Sequence, residues 1–364
     1  MHDMKKDEPR AVIVAIDNDD GDINLSLAEL RELAKTAGIE VVGELVQKRE
    51  RKHPGTYLGK GKVEELKAYA DSLNATGILC DDELSSTQIK NLSETLNLTI
   101  LDRTMIILDI FANRAITSEG KAQVELAQLK YRSSRLIGLG KQLSRQGGTA
   151  GGGGIGARGP GEKKLETDRR HIQSRIKQLN KELNDIKTTR DVLRSRRKQQ
   201  NIPVISLVGY TNAGKSTLMN TLTKADVLAE DKLFATLDTT TRKIRLPSGK
   251  NALLTDTVGF IDKLPHHLIQ AFRATLEELR YSTVLLHVVD ISDPEHHNQT
   301  DVVYSTLKDL KCLDKPLITA FNKSDLIDLN NFEGLCISAK TGLNLSALLE
   351  AIDKHIETAG LSNN

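Results

Sequence analysis

Residues Gly209-Tyr210-Thr211-Asn212-Ala213-Gly214-Lys215-Ser216-Thr217 set two glycines around a turn and follow them with a lysine and two hydroxyls. Backbone N–H groups in such a turn can surround a phosphate at a helix N-terminus. Lys215 can reach β- and γ-phosphate oxygens, and the Ser216 hydroxyl can ligate Mg2+. Asp256-Thr257-Val258-Gly259 ends an apolar run from Asn251, so a carboxylate stands at a strand end where it can hold the same ion through water. Gly259 has no side chain, and its N–H can approach a γ-phosphate oxygen closely and withdraw when that group is lost. The chemistry open to these residue types is magnesium-assisted phosphoanhydride hydrolysis, with Lys215, Thr236 and Gly259 around the reacting phosphate.

Phe234-Ala235-Thr236-Leu237-Asp238 opens a threonine-rich stretch, ending at Arg242, that has no helical period. It is expected to be a switch segment in contact with the nucleotide. Thr236 is the hydroxyl chosen to complete the metal shell, with Thr239, Thr240 and Thr241 as competitors. Base choice rests on Asn322-Lys323-Ser324-Asp325, which follows another apolar run. The Asp325 carboxylate can accept from guanine N1–H and N2–H together, a donor pair that adenine lacks. Treated as a buried group, it would select strongly against ATP, because an unpaired buried acceptor costs about 1–3 kcal/mol or more. Asn322 is expected to brace the loop or reach the purine N7, and the Lys323 stem to lie against the ring. Ser338-Ala339-Lys340 would offer a backbone N–H near Ala339 to guanine O6.

These residues need a scaffold that brings strand ends together. From Ile202 to about Ala359, strand-like runs near Pro203, Arg242, Asn251, Thr283, Pro316 and Gly334 alternate with helical runs from Gly214, Pro265, Glu295 and Asn344. That order predicts an α/β fold with a doubly wound sheet, its ligand at the strand carboxyl ends. Residues 11 to about 112 predict a smaller α/β domain, with strands at Ala11–Ile16, Glu40–Leu45, Gly77–Cys80 and Leu98–Leu101. Its helices are expected at Ser26–Ala37, Lys62–Leu73 and Thr87–Leu96. Between the two domains, helices over Ser118–Leu139 and Glu162–Gln199 read as a long basic hairpin. The expected division is therefore 1–112, 113–201 and 202–364.

The tip of that hairpin, residues 147–161, holds nine glycines in fifteen residues. Such a stretch is costly to order and builds no core. Charge is segregated along the chain. Residues 121–200 carry 20 Lys and Arg against 7 Asp and Glu, a local +13, while the remainder carries −11 from 31 basic and 42 acidic residues. A basic element on an otherwise acidic chain fits a polyanionic partner, and a tip without side chains suits a narrow site in structured RNA. Cys80, Cys312 and Cys336 lack zinc or CxxC spacing and read as reduced thiols. The polar start of the chain does not read as a signal peptide, and no run reaches the roughly 20 apolar residues of a membrane span. A cytoplasmic monomer is the expectation.

Together the Gly209–Thr217 loop, Phe234-Ala235-Thr236-Leu237-Asp238, Asp256-Thr257-Val258-Gly259-Phe260, the glycine tip and Tyr57-Leu58-Gly59-Lys60-Gly61-Lys62 resemble the HflX family of ribosome-associated P-loop GTPases. The resemblance covers nearly the whole chain. It implies binding to the large ribosomal subunit and its rRNA, with the glycine tip directed toward the peptidyl transferase region. It also implies splitting or rescue of stalled or idle ribosomes under heat stress in some members. An RNA-binding assembly or hibernation factor, and a signalling GTPase with a protein partner, are the competing readings. One position departs from the Ras-like pattern: Phe260 stands where those enzymes place a water-orienting glutamine.

Weaker features are read structurally. Gly59-Lys60-Gly61-Lys62 is expected to be a helix-entry turn rather than a second phosphate site. The pairs His266-His267 and His296-His297 do not face one site on a helix. His287, among Leu285, Leu286, Val288 and Val289, is expected to be a buried strand residue.

Overall fold

The structure, a computed structural model, describes residues 9–19, 21–146, 160–199, 202–223, 233–263, 276–328 and 332–361. The chain forms two compact units, Met1–Asn113 with Val124–Glu182, and Arg114–Gln123 with Leu183–Asn364.

The first unit is built on β1 (Arg10–Asp17), β2 (Glu40–Lys48), β3 (Gly77–Cys80) and β4 (Thr99–Asp102), paired in the order β2-β1-β3-β4 with every pair parallel. Helices α1 (Ile23–Thr36), α2 (Lys60–Ser72) and α3 (Ser86–Leu96) connect them. Parallel neighbours need such crossovers, and β1 and β3 read as near-continuous apolar runs because both faces are covered. Local signals fix the helix starts. Asp22 accepts from the Asn24 N–H ahead of α1, and Ser85 and Gln88 form a reciprocal capping box at α3. One helix lies beyond the sequence reading: α4 (Arg103–Arg114) buries Ile106, Ile107, Ile110 and Phe111.

Two buried polar hubs end this sheet. Asp102, fully buried, accepts from the Tyr131 hydroxyl at 2.7 Å and from the Leu84 and Met105 N–H groups at 3.0 and 2.9 Å. Arg135 pairs with it at 2.6 Å. Beside it, Arg103 is 2% exposed, donates to Asp81 and Ser26, and is ion-paired with Glu29.

The second unit carries β5 (Val204–Val208), β6 (Thr240–Arg245), β7 (Asn251–Asp256), β8 (Val284–Asp290), β9 (Leu317–Asn322) and β10 (Leu335–Cys336). They pair in the order β10-β9-β8-β5-β7-β6, all parallel except the antiparallel β6–β7 pair. Its remaining helices are α7 (Lys215–Thr223), α8 (His296–Asp309) and α9 (Leu345–Leu361). Earlier in the chain lie α5 (Ser118–Gln146) and α6 (Pro160–Gln199), of which each unit takes a part. In the first unit Arg175 pairs with Glu125 at 2.6 Å; in the second Arg190 pairs with Glu119 at 2.5 Å. Both helices run further toward the glycine segment than the expected Leu139 and Glu162 ends. The glycine tip at 147–159 and the helix expected from Pro265 lie outside the described residues. No helix among the described residues is long and apolar enough to cross a membrane.

His287 on β8 is the buried strand residue expected. Its ring is 1% exposed, meets Tyr304 edge-on at 5.8 Å, and its Nδ1 has no hydrogen-bond partner among the described residues. Burial, reinforced by the Lys215 charge, lowers its pKa to about 4. A histidine near 6.5 in the unfolded chain therefore takes up a proton there first as pH falls. Stability is full above pH 6.5 and is lost progressively down to about pH 4, by about 3 kcal/mol at most. Urea titrations from pH 7 to 4 should show this slope, and His287→Leu should flatten it by up to about one proton. An unchanged slope in that variant would refute the assignment.

Candidate nucleotide site

The carboxyl ends of β5 and β7 and the start of α7 meet around one pocket. It is lined by Thr211, Asn212, Gly214, Lys215, Ser216, Thr217, Phe234, Ala235, Thr236, Thr257 and Gly259. Gly209, Tyr210 and Ala213 shape the loop behind this lining, and Leu237 and Val258 are buried. Lys215 lies almost wholly inside, and its Nζ donates to Gly209 O at 3.0 Å and Tyr210 O at 2.6 Å. Burial lowers the ammonium to about 8, with the Asp256 charge offsetting part of that. Burial likewise raises the Asp256 carboxyl, against the pull of Lys215 and of the Ser216 and Thr236 hydroxyls.

The three residues expected at a metal meet in one cluster. Ser216 Oγ donates to Asp256 Oδ2 at 2.7 Å, Thr236 Oγ1 donates to the same oxygen at 2.8 Å, and the two hydroxyls are 2.8 Å apart. Asp256 Oδ1 is buried with no hydrogen-bond partner among the described residues. An all-oxygen set with an orphaned carboxylate oxygen fits a hard divalent cation such as Mg2+. Among the competing threonines, Thr241 instead bonds Thr255 across the β6–β7 pair at 3.1 Å.

Gly259 faces Lys215: a methyl there would stand 3.0 Å from the Lys215 Nζ and 2.9 Å from Thr211 Cα. Phe260 turns the other way. Its side chain is 2% exposed and packs with Val208, Leu276, Leu279, Leu285 and Val303. Its N–H donates to Gly209 O at 3.1 Å, and its carbonyl accepts from the Thr211 N–H at 2.8 Å. This bridge between the phosphate loop and the segment after Gly259 escaped the sequence reading; the apolar character of Phe260 was its only signal.

The base-side residues are tied to the phosphate loop through Asn322. Its Nδ2 donates to Ala213 O and its Oδ1 accepts from the Ala339 N–H, each at 2.9 Å. Asn322 is thus a brace, and the Ala339 N–H considered for guanine O6 is directed at Asn322. Gly214, at φ +92°, makes the brace possible, since a methyl there would stand 2.2 Å from Asn322 Nδ2. Ser324 Oγ donates to Ile337 O at 2.8 Å, and Thr221 Oγ1 to Ala339 O at 2.7 Å, which seats the Ser338–Lys340 turn. The Lys323 ammonium pairs with Asp290 at 2.6 Å, leaving its stem as the part free to meet a ring. Asp325 is exposed, contrary to its treatment as a buried group. Asp238 also differs from expectation: its carboxylate bonds Ile116 and Thr117, away from the pocket lining.

Three family models match in succession: GTP-binding GTPase N-terminal over residues 24–112, GTP-binding GTPase middle region over 114–197, and 50S ribosome-binding GTPase over 204–323. GTPase HflX of Lacrimispora saccharolytica is 56% identical over 359 residues, covering 96% of this chain and 84% of the relative. The chain belongs to the HflX family. GTPase HflX of Escherichia coli K12 is 40% identical over 340 residues, covering 91% of this chain and 79% of its own length. The solved structure of SsGBP with GDP matches with a TM-score of 0.51 at 24% identity, over 96% of this chain and 99% of that one, and shares the fold. As an HflX-family GTPase the chain binds guanine nucleotide and hydrolyses GTP to GDP and phosphate.

Proposed function

We propose that this GTPase is a nucleotide-driven switch that binds the large ribosomal subunit and splits or rescues stalled or idle ribosomes under stress. The observation that carries the switch is the cluster of Thr236, Ser216 and Asp256. A residue of an irregular segment, outside helix and strand, bonds both groups that would hold the metal. In this reading Ser216, Thr236 and Asp256 hold Mg2+, which neutralises charge developing on the phosphate oxygens. The loop amides from Asn212 to Thr217 orient the β-phosphate, Lys215 contacts the β- and γ-oxygens, and Gly259 N–H faces the γ-phosphate. Asp325 accepts from the base. Loss of the γ-phosphate releases the Thr236 and Gly259 segments.

Phe260 offers no group to orient a water, and its packing in the core keeps it from the pocket. Intrinsic hydrolysis is accordingly slow, and docking to the ribosome repositions a switch loop or supplies the orienting group. The ribosomal partner is supported by the local +13 charge of residues 121–200 and by the description of the model matching residues 204–323. The glycine segment is the tip that enters rRNA.

The test is GTP turnover at fixed moderate salt, with and without purified large subunits, beside a variant with the glycine segment shortened. Stimulation of about tenfold or more, weakened by the shortening, is expected. No stimulation in either protein would favour a signalling GTPase. Stimulation without a rise in free subunits from whole ribosomes would favour an assembly or hibernation factor.

A further inference from the structure

The segment that brings Thr236 to Ser216 and Asp256 is held on its other side by residues outside the nucleotide motifs. Two positions along, the Asp238 carboxylate is seated on the start of α5. Its Oδ2 accepts from the backbone N–H groups of Ile116 at 2.8 Å and Thr117 at 2.9 Å, and its Oδ1 from the Thr117 hydroxyl. That hydroxyl accepts in turn from the Gly120 N–H at 2.9 Å, so Thr117 caps the helix and receives Asp238 with one group. Gly120 completes the seat: a methyl there would stand 2.2 Å from Asp238 Oδ1 and 3.0 Å from its Cγ. A carboxylate is also the charge that the N-terminal end of a helix favours. All of these residues lie in the second unit.

We propose that Asp238 is a positioning residue for GTP hydrolysis, anchoring the Thr236 segment on the first turn of α5 so that Thr236 is held at the metal position. The proposal rests on the reading of Thr236 as the metal-completing hydroxyl. Residues Leu233–Thr239 form neither helix nor strand, so no backbone ladder fixes them. Thr236 and Asp238 are separated by Leu237 alone, which is 3% exposed, so a shift at one end is transmitted to the other. With the anchor in place, less conformational freedom remains to be lost when Thr236 engages.

Gly120→Ala gives a clean test because it removes the seat from the helix side, touches no nucleotide motif, and places a better helix former in α5. Gly120→Ala and Asp238→Ala are each expected to lower kcat for GTP by about tenfold or more and to raise the Mg2+ concentration for half-maximal rate. GDP affinity should stay within about twofold, and the double variant should be no slower than the slower single variant. Thr236→Ala is the control. If Thr236→Ala is slowed while Gly120→Ala and Asp238→Ala turn over normally, the anchor proposal is overturned and the reading of Thr236 stands. If Thr236→Ala also turns over normally, that reading fails and the proposal with it. A parallel loss of GDP affinity would make Asp238 merely structural and would equally overturn the proposal.

Discussion

Asp325→Asn is expected to weaken GTP and GDP binding by about a hundredfold and to leave the variant able to bind xanthine nucleotides. In the proposed reading the carboxylate accepts from guanine N1–H and N2–H together, and a hydrogen bond to a charged group contributes about 1.5–3 kcal/mol. The amide that replaces it keeps one acceptor and gains a donor. That donor clashes with the guanine amino group and matches the carbonyl that xanthine carries at the same carbon. Because Asp325 is exposed, free protein hydrates the carboxylate well, and discrimination comes from the bonds formed rather than from a standing penalty. Titration with fluorescent guanine and xanthine nucleotides checks this; a guanine affinity within threefold of the parent (about 0.7 kcal/mol) would show that Asp325 does not read the base.

Arg103→Met is expected to cost the first unit about 3–5 kcal/mol. Arg103 Nη1 bonds Asp81 Oδ1 at 2.8 Å and Ser26 Oγ at 3.2 Å, its Nη2 pairs with Glu29 at 2.9 Å, and Ser26 donates to the second Asp81 oxygen at 2.7 Å. Removing the guanidinium takes from Asp81, itself 2% exposed, the cation that it bonds at 2.8 Å. Adding Asp81→Leu should recover part of the loss, since it removes the more deeply buried carboxylate, while Glu29 still lacks the arginine it pairs with. Hydrogen exchange at the β1 and β3 amides reads this unit separately from the other. A loss below about 1 kcal/mol would mean that water reaches Asp81 on removal of the arginine.

Sequence alone served well where one element carries its own signal. Gly77–Cys80 has the same bounds in the sequence and in the structure, and the strand from Glu40 differs only at its far end, because apolar runs bounded by turn residues are local facts. The phosphate loop was legible for the same reason, with its spacing compressed into nine residues. Helix α4 was not, since Met105–Phe111 is apolar almost without a break and shows no period to separate helix from strand. Contacts between remote residues were likewise invisible. Asn322 reaching Ala213, Phe260 entering the core and Asp238 reaching Thr117 depend on tertiary approach, and their side chains alone admit several partners.

Residues Arg114–Gln123 belong to the nucleotide-binding unit although they precede its phosphate loop by some ninety positions of sequence. The structural module and the motif-bearing stretch are therefore not the same thing. A fragment beginning at residue 202 would keep every nucleotide motif, yet it would discard Ile116, Thr117 and Gly120 and leave Asp238 facing water. If Asp238 anchors the Thr236 segment as proposed, rates measured on such a fragment would understate the turnover of the intact chain for a reason unrelated to any lost partner domain.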